Sequence, residues 1–386
     1  MRKSGTVEIS PLRGRIREFF LGRSLEECIE SGRDNILTLR LIAALLVIYG
    51  HSCMADMSSR SYDFVHRFLP AVQVHTCGLF TFFLISGMLI TLSYQRKPDL
   101  VRFMRARFLR IWPALAVFVL LAAFVLGPLV SAFSLKAYFD PANPLNPYAY
   151  ALRGLGVFDV ANALPGVFTD TDLLKGEVNT PLWTVSVEAM LYVCVAGLGV
   201  LGLLRRRWLT SALIAALFSW LIVWPMSRGA FNYVQELQLT VEGFFGAGVI
   251  VCLLRRHVPI SNGIMLAIAI ACVLASRTTH ALPFTLLAIA YFVLWFAYVP
   301  RLPAMPYRAD LSYGTYLWGW PVQREVLALT HVKSAVALFA IAAPIALAIG
   351  ALSWVFVEKP ALRLKAWPLP ALFGIRGRYR ATSAES

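Results

Sequence analysis

Long apolar runs separated by short, arginine-rich connections set the pattern of this chain. Ten such runs stand out, at about residues 36–52, 69–92, 109–131, 181–204, 208–225, 237–254, 263–276, 282–299, 311–330 and 334–357. A helix of about 20 apolar residues, rising ~1.5 Å per residue, crosses the hydrocarbon core of a bilayer. The pattern therefore predicts an all-α integral membrane protein of about ten transmembrane helices. The seventh run is short and the sixth carries Glu242. Pro113, Pro321 and Pro344 fall inside runs, which is tolerated where neighbouring helices re-satisfy the freed backbone groups.

Composition agrees. Hydrophobic residues make up 58% of the chain and charged residues 15%, and the mean hydropathy is +0.66. A soluble domain is nearer half apolar and a quarter charged. The formal charge of +15 raises the question of nucleic acid, and its placement answers it. With the N-terminus cytoplasmic, three-quarters of the 36 Lys and Arg residues fall on the inside segments 1–40, 96–110, 205–207, 255–256, 301–308 and 359–380. This is the positive-inside pattern. It predicts both termini in the cytoplasm and membrane lipid, not nucleic acid, as the partner of the charge.

The expected organisation is a cytoplasmic N-terminal segment (1–35), a membrane domain (36–365) and a basic cytoplasmic tail (366–386). The N-terminal segment shows no signal peptide, and its stretch RGRIREFFLGRSLEECIE is basic and modestly amphipathic, suited to a membrane surface. The long connection at about 131–180 is rich in Pro, Asn and Tyr and carries Lys136, Arg153, Asp140, Asp159, Asp170, Asp172, Lys175 and Glu177. It reads as an ordered outer loop.

Ionisable groups in hydrocarbon are expensive and mark function by default. In the first run, Arg40 and His51 are eleven residues apart, three helical turns to within about 20°, so they share one face and stand roughly 16 Å apart along it. A snorkelling Arg and an interfacial His would give the same pattern. After the second run, Arg102/Arg105 and Arg107/Arg110 each place two guanidiniums on one helix side. Arginine forks suit phosphate, although a basic loop here also serves orientation, and spacing does not choose between the pairs. Glu188 lies about two turns into the fourth run, behind Trp183 and Ser186. Counted from the outer end, it is expected in one layer with His51, where a carboxylate would orient the imidazole. Glu242 and the Arg324/Glu325 pair read as packing or interface residues. The six cysteines show no CxxC or mixed Cys/His ligand spacing, so no metal site is indicated. Cys53 and Cys77 are expected as free thiols, with a disulfide the alternative.

Together these stretches resemble the integral-membrane acyltransferases of the acyltransferase 3 family, which O-acylate glycans. LRLIAALLVIYGHS is similar to the family's first helix, with its Arg and His, and LFTFFLISGMLIT to its second. RFLRIWPAL matches an RxxR–Pro segment and selects Arg107 and Arg110. PLWTVSVEAMLY places Glu188 at the family's glutamate, and DLSYGTYLWGWPVQ and LSWVFVEKPALRL resemble the last two helices. The resemblance runs from about residue 36 to 365. It departs at Leu37 and Thr38, where many members have an acid, and at Gly319, where many have a His, so position 319 supplies no second base.

The resemblance implies transfer of an acyl group, usually acetyl, from cytoplasmic acyl-CoA to a sugar hydroxyl of a lipid-linked or exported polysaccharide, at the bacterial cytoplasmic (inner) membrane. Acyl-CoA is then a substrate, and no bound cofactor is implied. Arg107 and Arg110 would hold the CoA phosphates and Arg40 the donor channel. His51 would act as general base, with a covalent acyl-His51 intermediate as a variant. Glu188 would orient His51 or hold the acceptor, and Trp183 and Ser186 would contact acceptor. The alternatives are a transporter or flippase without chemistry and a non-catalytic scaffold of a glycan-export complex. No inverted repeat supports the first.

Overall fold

The computed structural model describes residues 19–55, 63–158, 163–169, 176–226, 232–303 and 309–367. The basic stretch before residue 19, the acidic residues Asp159, Asp170 and Asp172, Lys175 and the tail beyond 367 lie outside the described residues.

Long helices carry the fold, one on each apolar run. They are α1 (Ile36–Ala55), α2 (Val74–Arg96), α3 (Leu100–Val130), α4 (Trp183–Val200), α5 (Arg207–Met226), α6 (Tyr233–Leu253), α7 (Asn262–Ala275), α8 (Ala281–Tyr298), α9 (Ser312–Thr330) and α10 (Ala335–Ser353). Among the described residues, seven helices are long and apolar enough to cross a membrane: α1, α2, α3, α4, α6, α8 and α10. Arg207–Leu221 within α5 and all of α7 are shorter apolar helices. α9 has 19 residues but carries Gln323, Arg324 and Glu325. The chain is thus an all-α multi-pass membrane protein. A two-residue strand, β1 (Arg23–Ser24), pairs antiparallel with β2 (Pro259–Ile260) near the N-terminus of the described chain.

The helix starts are written locally. Asp99 accepts the Arg102 amide at 2.8 Å to open α3. Asn232 and Gln235 cap α6 reciprocally, and Ser261 accepts the Ile264 amide at 3.1 Å at the start of α7. Such caps satisfy amides that no helical carbonyl reaches. Asn35 anchors the base of α1, its Nδ2 donating to the carbonyls of Phe296 and Pro300 at 2.9 and 2.7 Å.

α2 is the axis of the bundle, with most of its residues buried. It packs against α1 on one side and α6 on the other. Gly87 faces the Phe245 backbone and Gly248 faces the Leu84 backbone, so neither tolerates a Cβ without moving a helix. Small residues allow this approach where helices meet without a hydrophobic driving force.

The connection between α3 and α4 first packs on α3. Tyr138 donates to the Ala123 carbonyl at 2.7 Å and Trp112 to that of Leu155 at 3.1 Å. It then descends along α9. Arg324 Nη2 donates to the Phe168 carbonyl (3.0 Å), Trp320 to that of Glu177 (3.4 Å), Asn179 to that of Leu317 (2.8 Å), and Tyr316 to that of Pro181 (3.1 Å). From residue 324 to 316 the descent covers about 12 Å of helix axis. Val167, Val178 and Asn179 are fully buried. Partners from α9 for the carbonyls of Phe168, Glu177 and Pro181 and for the Asn179 side-chain amide nitrogen help an irregular segment lie inside the bundle.

Candidate active site

Four groups of side chains occupy the bundle. The first is ionic. Arg110, on α3, donates through Nη2 to Asp310 Oδ2 at 2.6 Å and through Nη1 to Glu358 Oε2 at 2.9 Å. Arg40, on α1, brings Nε to 3.4 Å from the same Asp310 oxygen and 3.3 Å from Ser312 Oγ. Ser312 Oγ donates to Asp310 Oδ1 at 2.5 Å, and Ser353 Oγ to Glu358 Oε1 at 3.0 Å. Two guanidiniums and two carboxylates balance, the condition under which charges persist away from water.

The second group surrounds Glu188. Its Oε1 accepts Ser86 Oγ at 2.8 Å and the Tyr192 hydroxyl at 2.5 Å. Arg107 lies over the Tyr192 ring at 5.9 Å and the Phe103 ring at 5.7 Å. Glu188 and Arg40 line one small cavity of about 40 Å³ with Phe82, Thr184, Tyr313 and Tyr316.

The third is a basic cavity of about 660 Å³ at the arginine-rich ends of α2 and α3, lined by Arg96, Lys97, Arg102, Arg105, Arg107 and Lys365, with Asp99 as its one acidic residue. Arg105 is tied to the Leu364 and Trp367 carbonyls. The Arg107/Arg110 pair is therefore split. Arg110 has its fork filled by carboxylates, whereas the buried Arg107 Nε has no hydrogen-bond partner among the described residues and its residue lines the cavity.

The fourth group is at the other end of α1. The His51 ring stacks on His75 with centroids 5.6 Å apart and meets Trp320 edge-to-face at 4.9 Å. Gly319, next to Trp320 in the chain, faces Ile48 of α1 and offers no side chain.

This arrangement corrects the expected layering. Glu188 does not meet His51. His75 contacts His51 and Ser86 binds Glu188, and these two residues of α2 are eleven positions apart, about 16 Å along the axis. The cause is the buried descent along α9, which starts α4 deep in the bundle and carries Glu188 down to the level of Arg40. Ser186 is also turned elsewhere, donating to the Val157 carbonyl at 2.6 Å. Trp183 packs against the hydrophobic core. Neither lines the cavity of Glu188. Arg324 and Glu242 have structural partners, Phe168 and Gln238 (3.0 Å) respectively. No disulfide joins Cys53 and Cys77.

Asp310, Ser312, Glu358, Ser86, Tyr192 and Trp320 were visible only as letters of motifs. Their roles depend on contacts between helices far apart in sequence, for which spacing within one helix carries no signal. His75 stands outside the motifs altogether.

Comparison with known proteins gives the arrangement its family. Residues 34–358 match the acyltransferase domain family. The chain is 24% identical over 332 residues to an "O-acetyl transferase" of Shigella phage Sf6, covering 83% of this chain and 94% of that protein. It is 28% identical over 364 residues to "Nodulation protein 10" of Rhizobium leguminosarum bv. viciae, covering 86% of this chain and 94% of that protein. No solved structure matches. The chain from the foot of α1 to Glu358 is one continuous match, and the protein belongs to the acyltransferase 3 family of membrane acyltransferases.

Proposed function

We propose that the protein is an O-acetyltransferase of the bacterial cytoplasmic membrane, with ten transmembrane helices and both termini in the cytoplasm. It takes the acetyl group from cytoplasmic acetyl-CoA and delivers it to a hydroxyl of a lipid-linked or exported glycan. The observation that carries this reading is the distribution of chemistry along α1 and α2. A basic cavity containing Arg107 lies at the arginine-rich end, and His51 lies toward the opposite end.

In this reading the basic cavity receives the phosphates of CoA, with Arg107 as the ligand whose buried nitrogen is unspent. Arg110 belongs to the frame, since its donors are committed to Asp310 and Glu358. Arg40 and Glu188 line the path of the CoA pantetheine arm. At the far end His51 takes the proton of the sugar hydroxyl as its oxygen bonds to the thioester carbonyl carbon. The C–S bond then breaks, and His51 returns the proton to the leaving thiolate. Attack by His51 itself, giving an acyl-His51 that the sugar then relieves, is the covalent variant.

The test is ester-sensitive mass spectrometry of surface glycans from wild-type, deletion and His51→Ala strains. Loss of one acetyl increment in both altered strains, with His51→Ala protein at normal membrane levels, is the expected result. An increment lost in the deletion but kept in His51→Ala overturns the assignment of the base. Glycans unchanged in the deletion overturn the glycan acceptor.

A further inference from the structure

His75 sits in the first turn of α2 and is 6% exposed. Gly50 brings it to His51. A Cβ on Gly50 would stand 2.6 Å from the His75 Cβ and 2.7 Å from its backbone nitrogen. With no side chain at 50, α2 closes on α1 and lays the His75 ring over the His51 ring, their planes 29° apart. Trp320 meets the same ring edge-to-face, at 86°. The plane of His51 is thereby fixed by two aromatic neighbours from two other helices.

Behind His75 lies a buried carboxylate. Asp63 is 6% exposed, and it accepts the Val74 amide at 2.8 Å and the His66 amide at 2.6 Å. The Asp63 carboxylate is thus held on the amide of the residue before His75, and His75 in turn stacks on His51. Among the described residues, Tyr49 and Cys53 on α1, Cys77 on α2, and His66 and Arg67 on the short helix Phe64–Phe68 are the other titratable or charged side chains nearby in the chain. α9 contributes the uncharged Trp320 and Gln323, the latter donating to the Ile48 carbonyl at 2.8 Å and Ser52 Oγ at 2.6 Å.

We propose that His75 is the positioning residue of His51, and that the two imidazoles act as one proton-accepting unit with Asp63 as its counter-charge. The inference rests on the reading of His51 as the base. Two imidazolium rings this close, in poorly hydrated surroundings, repel each other strongly, so the pair accommodates one positive charge rather than two. Interacting groups of this kind titrate jointly. The charge that His51 gains when it takes the sugar proton is then spread toward His75 and offset by Asp63, and the stack keeps the accepting nitrogen aimed.

The experiment uses full-length protein in membrane vesicles of its own cells, with radiolabelled acetyl-CoA and ester-labile incorporation measured against pH. His75→Ala is expected to lower kcat about tenfold or more while leaving the KM for acetyl-CoA unchanged. His75→Phe keeps a stacked ring that cannot titrate. It is expected to restore much of the rate, with a pH profile reduced to a single ionisation on the basic-group limb. An unchanged kcat in His75→Ala, or a His75→Phe profile superimposable on wild type, overturns the proposal. Should His75→Ala fail to accumulate, the His75→Phe profile decides alone. Activity retained in His51→Ala overturns the base assignment and this inference with it. Loss in His51→Ala beside a wild-type profile in His75→Phe overturns the inference only.

Discussion

Arg110 and Asp310 meet through Nη2 and Oδ2 at 2.6 Å, and that same carboxylate oxygen stands 3.4 Å from the Nε of Arg40. One acidic side chain, from the residues just before α9, thus joins α1 to α3, and Glu358 adds the π-helical turn Trp354–Glu358 that follows α10 to the same guanidinium. Removing Arg110 leaves Glu358 without a cation beside it and Asp310 with only the longer contact to Arg40. Arg110→Ala is therefore expected to cost about 3–5 kcal/mol of stability, the usual result of breaking a buried pair. Thermal unfolding in detergent checks this. The neutral quadruple change Arg40→Met, Arg110→Met, Asp310→Asn, Glu358→Gln should recover most of the loss, because it removes every charge of the network together.

Arg107 is expected to behave differently. Loss of one charge-assisted contact to a phosphate is worth roughly 1.5–3 kcal/mol, so Arg107→Gln should raise the KM for acetyl-CoA by about one order of magnitude or more with kcat little changed. Initial rates against donor concentration, at two ionic strengths, test it. Salt should raise the wild-type KM more than that of the variant, since screening weakens only the contact that exists.

Glu188→Gln separates the two ends of the path. The amide keeps an acceptor for Ser86 and Tyr192 but removes the charge near Arg107 and Arg40. At about 16 Å from the His51 level, the change is expected to alter donor KM and leave the pH dependence of kcat intact. A shifted pH profile would contradict the separation of Glu188 from His51.

Gly50→Ala places a methyl against the His75 Cβ and backbone nitrogen. Neither is the end of a flexible side chain, so α1 and α2 must part. The expected outcome is a protein that still accumulates in the membrane with acetyl transfer reduced at least about tenfold. Glycan mass spectrometry with an immunoblot of the membrane fraction reads both quantities.

Much of this was legible in the sequence. Every long helix lies on an apolar run, because burial in lipid leaves a one-dimensional trace of composition. The alignment of Arg40 with His51 on α1 was legible for the same reason, as a matter of period within one helix. The level of Glu188 was not. It depends on how far the chain sinks before α4 begins, and that is fixed by Arg324, Trp320, Asn179 and Tyr316 bonding across the interior. The unequal fates of Arg107 and Arg110 were equally hidden, since they turn on Asp310 and Glu358, some 200 and 248 positions away in sequence.

The descent along α9 also bears on how this protein can change. A connection of this length looks like a detachable module that recombination could trade between relatives to alter what is modified. Its two parts are unequal in that respect. The stretch 135–155 lies against the flank of α3 and has exposed side chains such as Leu135, Tyr148 and Leu152, so sequence drift there meets little resistance. Residues 163–169 and 176–182 are threaded through the interior and bonded to α9. A graft that crosses them must bring its own α9 along. New specificities in this architecture are therefore expected to arise as linked exchanges of the inner stretch and α9, or as small changes in the outer one.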